Sequence, residues 1–145
     1  RSGLVACTGS AGCKFAAADT KAHALKLANY LESRFNINSP INIHFTGCRN
    51  SCAQHYIGDI GLIGAKVDVN GKLEEGYNIF IGGGSGLSGQ IAKEYANSVT
   101  VDALLPTVEG LIDCWIKNRS DEKESFCSFT NRFDAITLRK LSGMV

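Results

Sequence analysis

The sequence predicts a mixed α/β (α+β) domain in which a β-sheet with a hairpin is layered with helices. Three observations predict it. Apolar residues alternate over Ile41-Asn42-Ile43-His44-Phe45, as in a strand. Asn70-Gly71 stands between two β-rich runs as a type I′ hairpin turn. Elsewhere apolar residues recur at helical spacing.

The elements follow in order. Gly3 to Cys7 reads as a short strand feeding a turn. Asp19 to Phe35 carries Ala22, Leu25, Leu27, Ala28 and Leu31 near helical period, with Asp19 or Thr20 as N-cap. Pro40 closes the connection to the strand Ile41 to Phe45. Asp59 to Val69 is apolar and β-rich, and Tyr77 to Ile81 is its return strand. Gly82 to Gly86 forms a loop opening onto an expected helix near Ser88 to Ser98. Thr100 or Asp102 caps a further helix to about Asn118, with Leu104, Leu105, Val108, Leu111, Ile112 and Trp115 inward and Pro106 in its first turn. Ser120 to Glu124 is a charged link, and Ser125 to Leu141 forms one or two short helices.

A chain of 145 residues, 44% hydrophobic and 20% charged, reads as a single domain, 1–145, able to bury a core without staples. A net charge of +1 points to neither nucleic acid nor a membrane surface. No apolar run nears the roughly 18 residues that span a bilayer, and no signal peptide is visible. The cysteine usage is unlike a small secreted disulfide scaffold, so a reducing, cytoplasmic setting is expected. The chain enters an apolar segment directly at Arg1 without an initiator Met, and is read as a piece of a longer protein.

Four cysteines form two close pairs: Cys7 with Cys13, and Cys48 with Cys52. Gly9, Gly12 and Gly47 flank them, so the backbone can approach a bound group closely. Four thiolates suit a cubane iron–sulfur cluster, although the spacing differs from the ferredoxin patterns. Structural zinc, two disulfides and unrelated buried thiols are the alternatives. A helix beginning within Asn50 to His55 would place positive potential near Cys52. Cys114 and Cys127 read as core thiols. His55 reads as a neighbour of the site and not a ligand, and His23 and His44 as structural or exposed. The Gly82 to Gly86 loop lacks the Lys-Ser/Thr ending of a phosphate loop and reads as an anion cradle or a plain connection.

These motifs resemble the sirohaem- and 4Fe–4S-containing nitrite and sulfite reductases. The similarity runs through Ala-Cys-Thr-Gly…Cys at Cys7 and Cys13, and through Thr46-Gly47-Cys48-Arg49-Asn50-Ser51-Cys52-Ala53-Gln54-His55 and onward to Leu62. It includes Asp19-Thr20-Lys21, Gly76 to Gly84, and Glu124-Ser125-Phe126 with Phe129 and Arg132. Ala53 to Gly64 is more similar to the assimilatory nitrite reductases. The resemblance implies that Cys7, Cys13, Cys48 and Cys52 ligate the cluster. It implies that Cys52 also bridges to the sirohaem iron, and makes Arg49 and Asn50 candidate sirohaem contacts. Electrons would come from ferredoxin or a flavoprotein, and the six-electron product would be ammonia from nitrite or sulfide from sulfite.

Two departures stand out. Arg49 occupies a place where the family usually has Pro; it reads as a sirohaem-carboxylate partner or as an exposed loop residue. The family's reductases are several times longer, and their substrate-holding Arg and Lys residues come from an N-terminal half. No catalytic residue is therefore assigned here, and the fragment alone is expected to be inactive and able to stand without either cofactor, the 4Fe–4S cluster or the sirohaem. The alternative to a nitrite reductase domain is a sulfite reductase domain, or a non-catalytic iron–sulfur electron-transfer or metal-binding module.

Overall fold

The computed structural model describes residues 3–87 and 89–144. Its centre is one five-stranded mixed sheet in the order β1-β2-β3-β4-β5, comprising Leu4–Ala6, Ile43–Thr46, Ile60–Val69, Lys72–Ile81 and Lys93–Thr100. β1, β2 and β3 run parallel, with Leu4 opposite Ile43 and Ile43 opposite Ile60. β3 and β4 are antiparallel from Val69–Lys72 to Ile60–Ile81. Asn70 and Gly71 between them have φ of 54° and 83°, as the type I′ turn requires. β4 is longer than the expected return strand and begins at Lys72.

Helix α1, Thr20–Glu32, is capped by the Asp19 carboxylate, which accepts from the Ala22 N–H at 3.3 Å. Helix α2, Val101–Asn118, is capped by Thr100 and presents Leu104, Val108, Leu111, Ile112, Cys114 and Trp115 to the core, with Leu105 half-buried. Pro106 lies beyond the first turn, inside the helix. Its ring replaces an N–H that would otherwise bond back to Asp102, and α2 runs through that gap. Two short helices close the chain, α3 (Phe126–Asn131) and α4 (Ala135–Leu141), capped by Ser125 and Asp134.

The helix expected near Ser88 to Ser98 is instead strand β5, starting at Lys93; Ser88 itself lies outside the described residues. The reason is a pair of register shifts between β4 and β5. They leave Tyr95, Ala96 and Val99 buried, a spacing that imitates a helical face. The free edge of β4 takes the segment into the sheet, and Ser98 N–H bonds to Asn78 Oδ1 at 2.8 Å.

α1 lies on β1 and β2, α2 on β4 and β5, and the two helices touch. Phe45, Tyr77, Ile79, Leu27, Leu104 and Trp115 are buried in the shared core. Trp115 stacks edge-on against Phe126, and its indole N–H donates to Glu124 C=O at 3.0 Å. Trp115→Ala is expected to cost about 3–5 kcal/mol, read as a lowered urea midpoint with helical circular dichroism retained before the transition.

Candidate metal centre

Both cysteine pairs sit at the start of a crossover between parallel strands. Cys7 and Cys13 occupy the loop between β1 and α1, and Cys48 and Cys52 the loop between β2 and β3. Parallel neighbours end side by side, so both loops leave from one end of the sheet, where α/β folds place their ligands. The loops are joined by the backbone. Cys7 N–H donates to Phe45 C=O at 3.0 Å and Ala17 N–H to Gly47 C=O at 2.8 Å.

Gly47 N–H donates to Cys7 Sγ at 3.2 Å, so that a residue of the second loop touches a sulfur of the first. Gly47 has no room for a side chain: an added Cβ would lie 2.7 Å from Ala16 Cβ and 3.5 Å from Cys7 Sγ. Thr20 opens α1 and sits against Cys7, its hydroxyl donating to Cys7 C=O at 2.8 Å and lying 3.7 Å from Cys7 Sγ. The N-terminal end of α1 thus faces Cys7, and its partial positive charge favours negative charge on sulfur.

The second loop differs from expectation. No helix starts within Asn50 to His55; the chain makes turns and only then one 3-10 turn, His55–Ile57. Ser51 and Gln54 are left-handed, with φ of 53° and 56°, and a helix cannot begin through them. The helix terminus of the site therefore belongs to Cys7 and not to Cys52. Side chains hold the loop in shape. Ser51 Oγ and His55 Nδ1 are 2.6 Å apart, and His44 Nδ1 meets Ala53 C=O at 2.7 Å. Cys48 is half-buried, while Arg49, Asn50 and Cys52 are exposed.

The other sequence candidates fall as follows. Cys114 is buried as expected. Cys127 is only half-buried, its thiol near Gly82 C=O at 3.6 Å, because α3 lies on the Gly82–Gly84 loop. That loop leads to a strand and not to a helix. His55 and His44 shape the cysteine loop, whereas His23 packs on Tyr77, Nδ1 to hydroxyl at 2.8 Å, with Nε2 3.4 Å from Glu75. Burial pushes the Tyr77 phenol above its ordinary range, with the charges of Glu75, Asp19 and Cys7 adding to it. Burial lowers the His23 imidazole, against the opposing pull of Glu75 and Asp19.

The structure permits a test of fit for a thiolate-held cluster. In favour stand four thiols on two adjoining turns, a backbone N–H already on one sulfur, and an orphan polar atom. Thr46 Oγ1, buried at the end of β2, has no hydrogen-bond partner. Such an atom costs about 1–3 kcal/mol unless something accepts from it. Convergence of the sulfurs is not preformed: among the described residues, no three His, Cys, Asp or Glu side chains form a metal-holding group. All six cysteines are free thiols. The residues therefore fit a 4Fe–4S cluster in donor chemistry, with both pairs at one end of the sheet. Sequence reading missed Thr20 and Thr46; only the alternation of β2 hints that Thr46 faces away from Phe45.

A mixed sheet with thiol-rich turns at its parallel strand ends defines the class, a domain built to present cysteines from two crossovers. Residues 2–136 match the model of the nitrite and sulphite reductase 4Fe-4S domain, and the chain belongs to that family. It is 40% identical over 110 residues to the ferredoxin–nitrite reductase of Synechococcus elongatus, covering 76% of this chain and 22% of that protein. It is 42% identical over 111 residues to the chloroplastic ferredoxin–nitrite reductase of Zea mays, covering 76% and 20%. It is 34% identical over 146 residues to a ferredoxin sulfite reductase of Mycolicibacterium paratuberculosis, covering 96% and 26%. The chain thus spans between a fifth and about a quarter of these relatives' length. Among solved structures, the Mycobacterium tuberculosis NirA protein superposes with a TM-score of 0.82 at 31% identity, over 94% of this chain and 26% of that one. Dissimilatory sulfite reductase I shares the fold, with a TM-score of 0.76 at 15% identity over 99% of this chain and 52% of that one. Among the described residues no helix is long and apolar enough to cross a membrane.

Gly47→Ala is expected to wedge the two loops apart and cost about 1–3 kcal/mol by overpacking, measured by urea unfolding of the metal-free chain. The lowered His23 gives a pH trend. Below the free imidazole value of about 6.5, the unfolded chain binds a proton that the folded one resists, so stability falls as pH drops from about 7 to 5.5. The same denaturation series on His23→Gln is expected to show a shallower fall.

Proposed function

We propose that residues 1–145 are the C-terminal, cluster-bearing domain of an assimilatory nitrite reductase, the whole protein converting nitrite to ammonia with electrons from ferredoxin. The observation that carries the reading is the delivery of both cysteine pairs to one end of the sheet, with Gly47 N–H on Cys7 Sγ. The ferredoxin–nitrite reductase relatives support the substrate and the donor.

Cys7, Cys13, Cys48 and Cys52 would hold a 4Fe–4S cluster, and Cys52 would also bridge to a sirohaem. Bound there, the cluster and sirohaem supply one-electron delivery to a multi-electron reducing centre. The chain's own residues do the rest. Gly47 N–H and the N-terminus of α1 stabilise negative charge at Cys7. The left-handed Ser51 and Gln54, held by His55 and His44, turn Cys52 outward, where a large flat group has access. Arg49 and Asn50, exposed on the same turn, would meet carboxylates of such a group. We assign substrate-holding residues to a separate N-terminal half, so the isolated chain is inactive toward nitrite. The working compartment is a reducing one, the cytoplasm by the cysteine usage.

Sulfite reduction is the second reading, and one observation favours it. The match to the mycobacterial sulfite reductase runs over 96% of this chain, against 76% for the nitrite reductases. Anaerobic reconstitution with iron and sulfide tests the cluster: about four irons per chain are expected, falling sharply in Cys7→Ser, Cys13→Ser, Cys48→Ser and Cys52→Ser. Tight zinc without visible absorption would instead mark a structural module. Turnover of nitrite against sulfite by the full-length protein with reduced methyl viologen separates the two reductase readings.

A further inference from the structure

We propose that Thr46 is a positioning residue of the cysteine site, its hydroxyl a hydrogen-bond donor held for a sulfur lone pair of the bound cluster. The inference rests on the cluster reading and goes beyond it, since it assigns to a side chain outside the ligand set a part in setting the cluster's potential.

The argument starts from an unmet bond. Thr46 is 1% exposed, and its Oγ1 is a buried polar atom without a partner. A threonine hydroxyl rotates freely about its side chain and normally finds a nearby backbone acceptor. The polar groups of the adjoining turn bond to one another and none of them to Thr46. Gly47 C=O accepts from Ala17, and Gly47 N–H is on Cys7 Sγ. Ser51 Oγ is taken by His55 Nδ1, and His44 Nδ1 by Ala53 C=O. Opposite Thr46 in the ladder stands Ile63, which offers no polar atom in its side chain.

Placement supplies the second part. Alternation along β2 puts Thr46 on the same face as His44 and opposite the face of Phe45. His44 lies under Ala53 and Gly58, so this face is covered by the loop that carries the second cysteine pair. Thr46 is one step nearer the turn than His44 and two residues before Cys48. The loop above it contains two thiols, and sulfur is a broad, polarisable acceptor that becomes a good one when charged. A donor to sulfur withdraws electron density from the cluster and makes reduction easier. Valine has nearly the shape of threonine and would end the orphan, so the hydroxyl costs stability that a sulfur acceptor would return.

This predicts opposite signs in two measurements. Wild type, Thr46→Val and Thr46→Ser are reconstituted anaerobically. Iron and sulfide are assayed first, then the midpoint potential by dithionite titration followed by electron paramagnetic resonance. Thermal unfolding is measured on each metal-free chain. Metal-free Thr46→Val is expected to unfold at a higher temperature than wild type, and loaded Thr46→Val to have a lower midpoint potential; Thr46→Ser keeps the wild-type potential. A Thr46→Val chain stabilised without metal but taking up less iron also supports the role. An unchanged potential at full iron content overturns the proposal, as does a metal-free Thr46→Val that is less stable or unfolded. Wild type that takes up fewer than four irons overturns the cluster reading itself, and the iron assay shows that before any potential is read.

Discussion

The parallel pairing of β1 with β2 and β2 with β3 is the constraint from which the rest follows. Parallel strands cannot be joined by a tight turn, so the chain leaves each at the same end and travels back. The first return is a loop and α1; the second is the Gly47 to Asp59 segment, with no long helix of its own. The two departures lie one strand apart, and each begins with a cysteine pair. A hairpin in place of the first crossover would have reversed β2 and sent the second pair to the opposite end. Only the antiparallel half of the sheet, β3 to β5, is free of this requirement, and there the connections are a two-residue turn and a glycine-rich loop.

Backbone polarity then prepares the end of the sheet for negative charge. Buried thiolates repel each other and need donors. The structure supplies Gly47 N–H to Cys7 and directs the N-terminus of α1 at the same residue. The first of these goes with the absence of side-chain bulk at one contact. Gly64 in β3 faces the carbonyl of Gly47, and a Cβ there would stand 2.7 Å from that oxygen. The close approach that lets Gly47 reach Cys7 is thus shared between β3 and the second loop, and the sheet is part of the site.

Much of the fold was legible because local chemistry and tertiary need agree. Asn70-Gly71, the Asp19 cap and the apolar stripe of α2 each state one conformation, and the structure adopts it. The two cysteine pairs stand out in the sequence by their spacing beside glycine, and the structure brings both pairs to one end of the sheet. What escaped are places where long-range pairing overrides local pattern. Tyr95, Ala96 and Val99 spell a helical face, yet a shifted register with β4 makes them strand. Asn50 to His55 looked able to start a helix, but the positive φ of Ser51 is invisible in a serine. Thr20 stood in the sequence as a cap candidate and Thr46 as a strand end, and their places at the site arise only when α1 and β2 are set against the loops.

Two kinds of local cost meet at the second cysteine loop. Two residues there are left-handed without being glycine, each costing about 1–2 kcal/mol, and the neighbouring Thr46 leaves a buried hydroxyl unpaired. The main core closes elsewhere, through Phe45, Tyr77, Trp115 and their neighbours on the other face of β2 and along α2. A stable core that tolerates strain and an unmet polar group at one place is the pattern expected where the chain is shaped for what it binds. Here the left-handed residues flank an exposed Cys52, and the core supplies the stability that tolerates them.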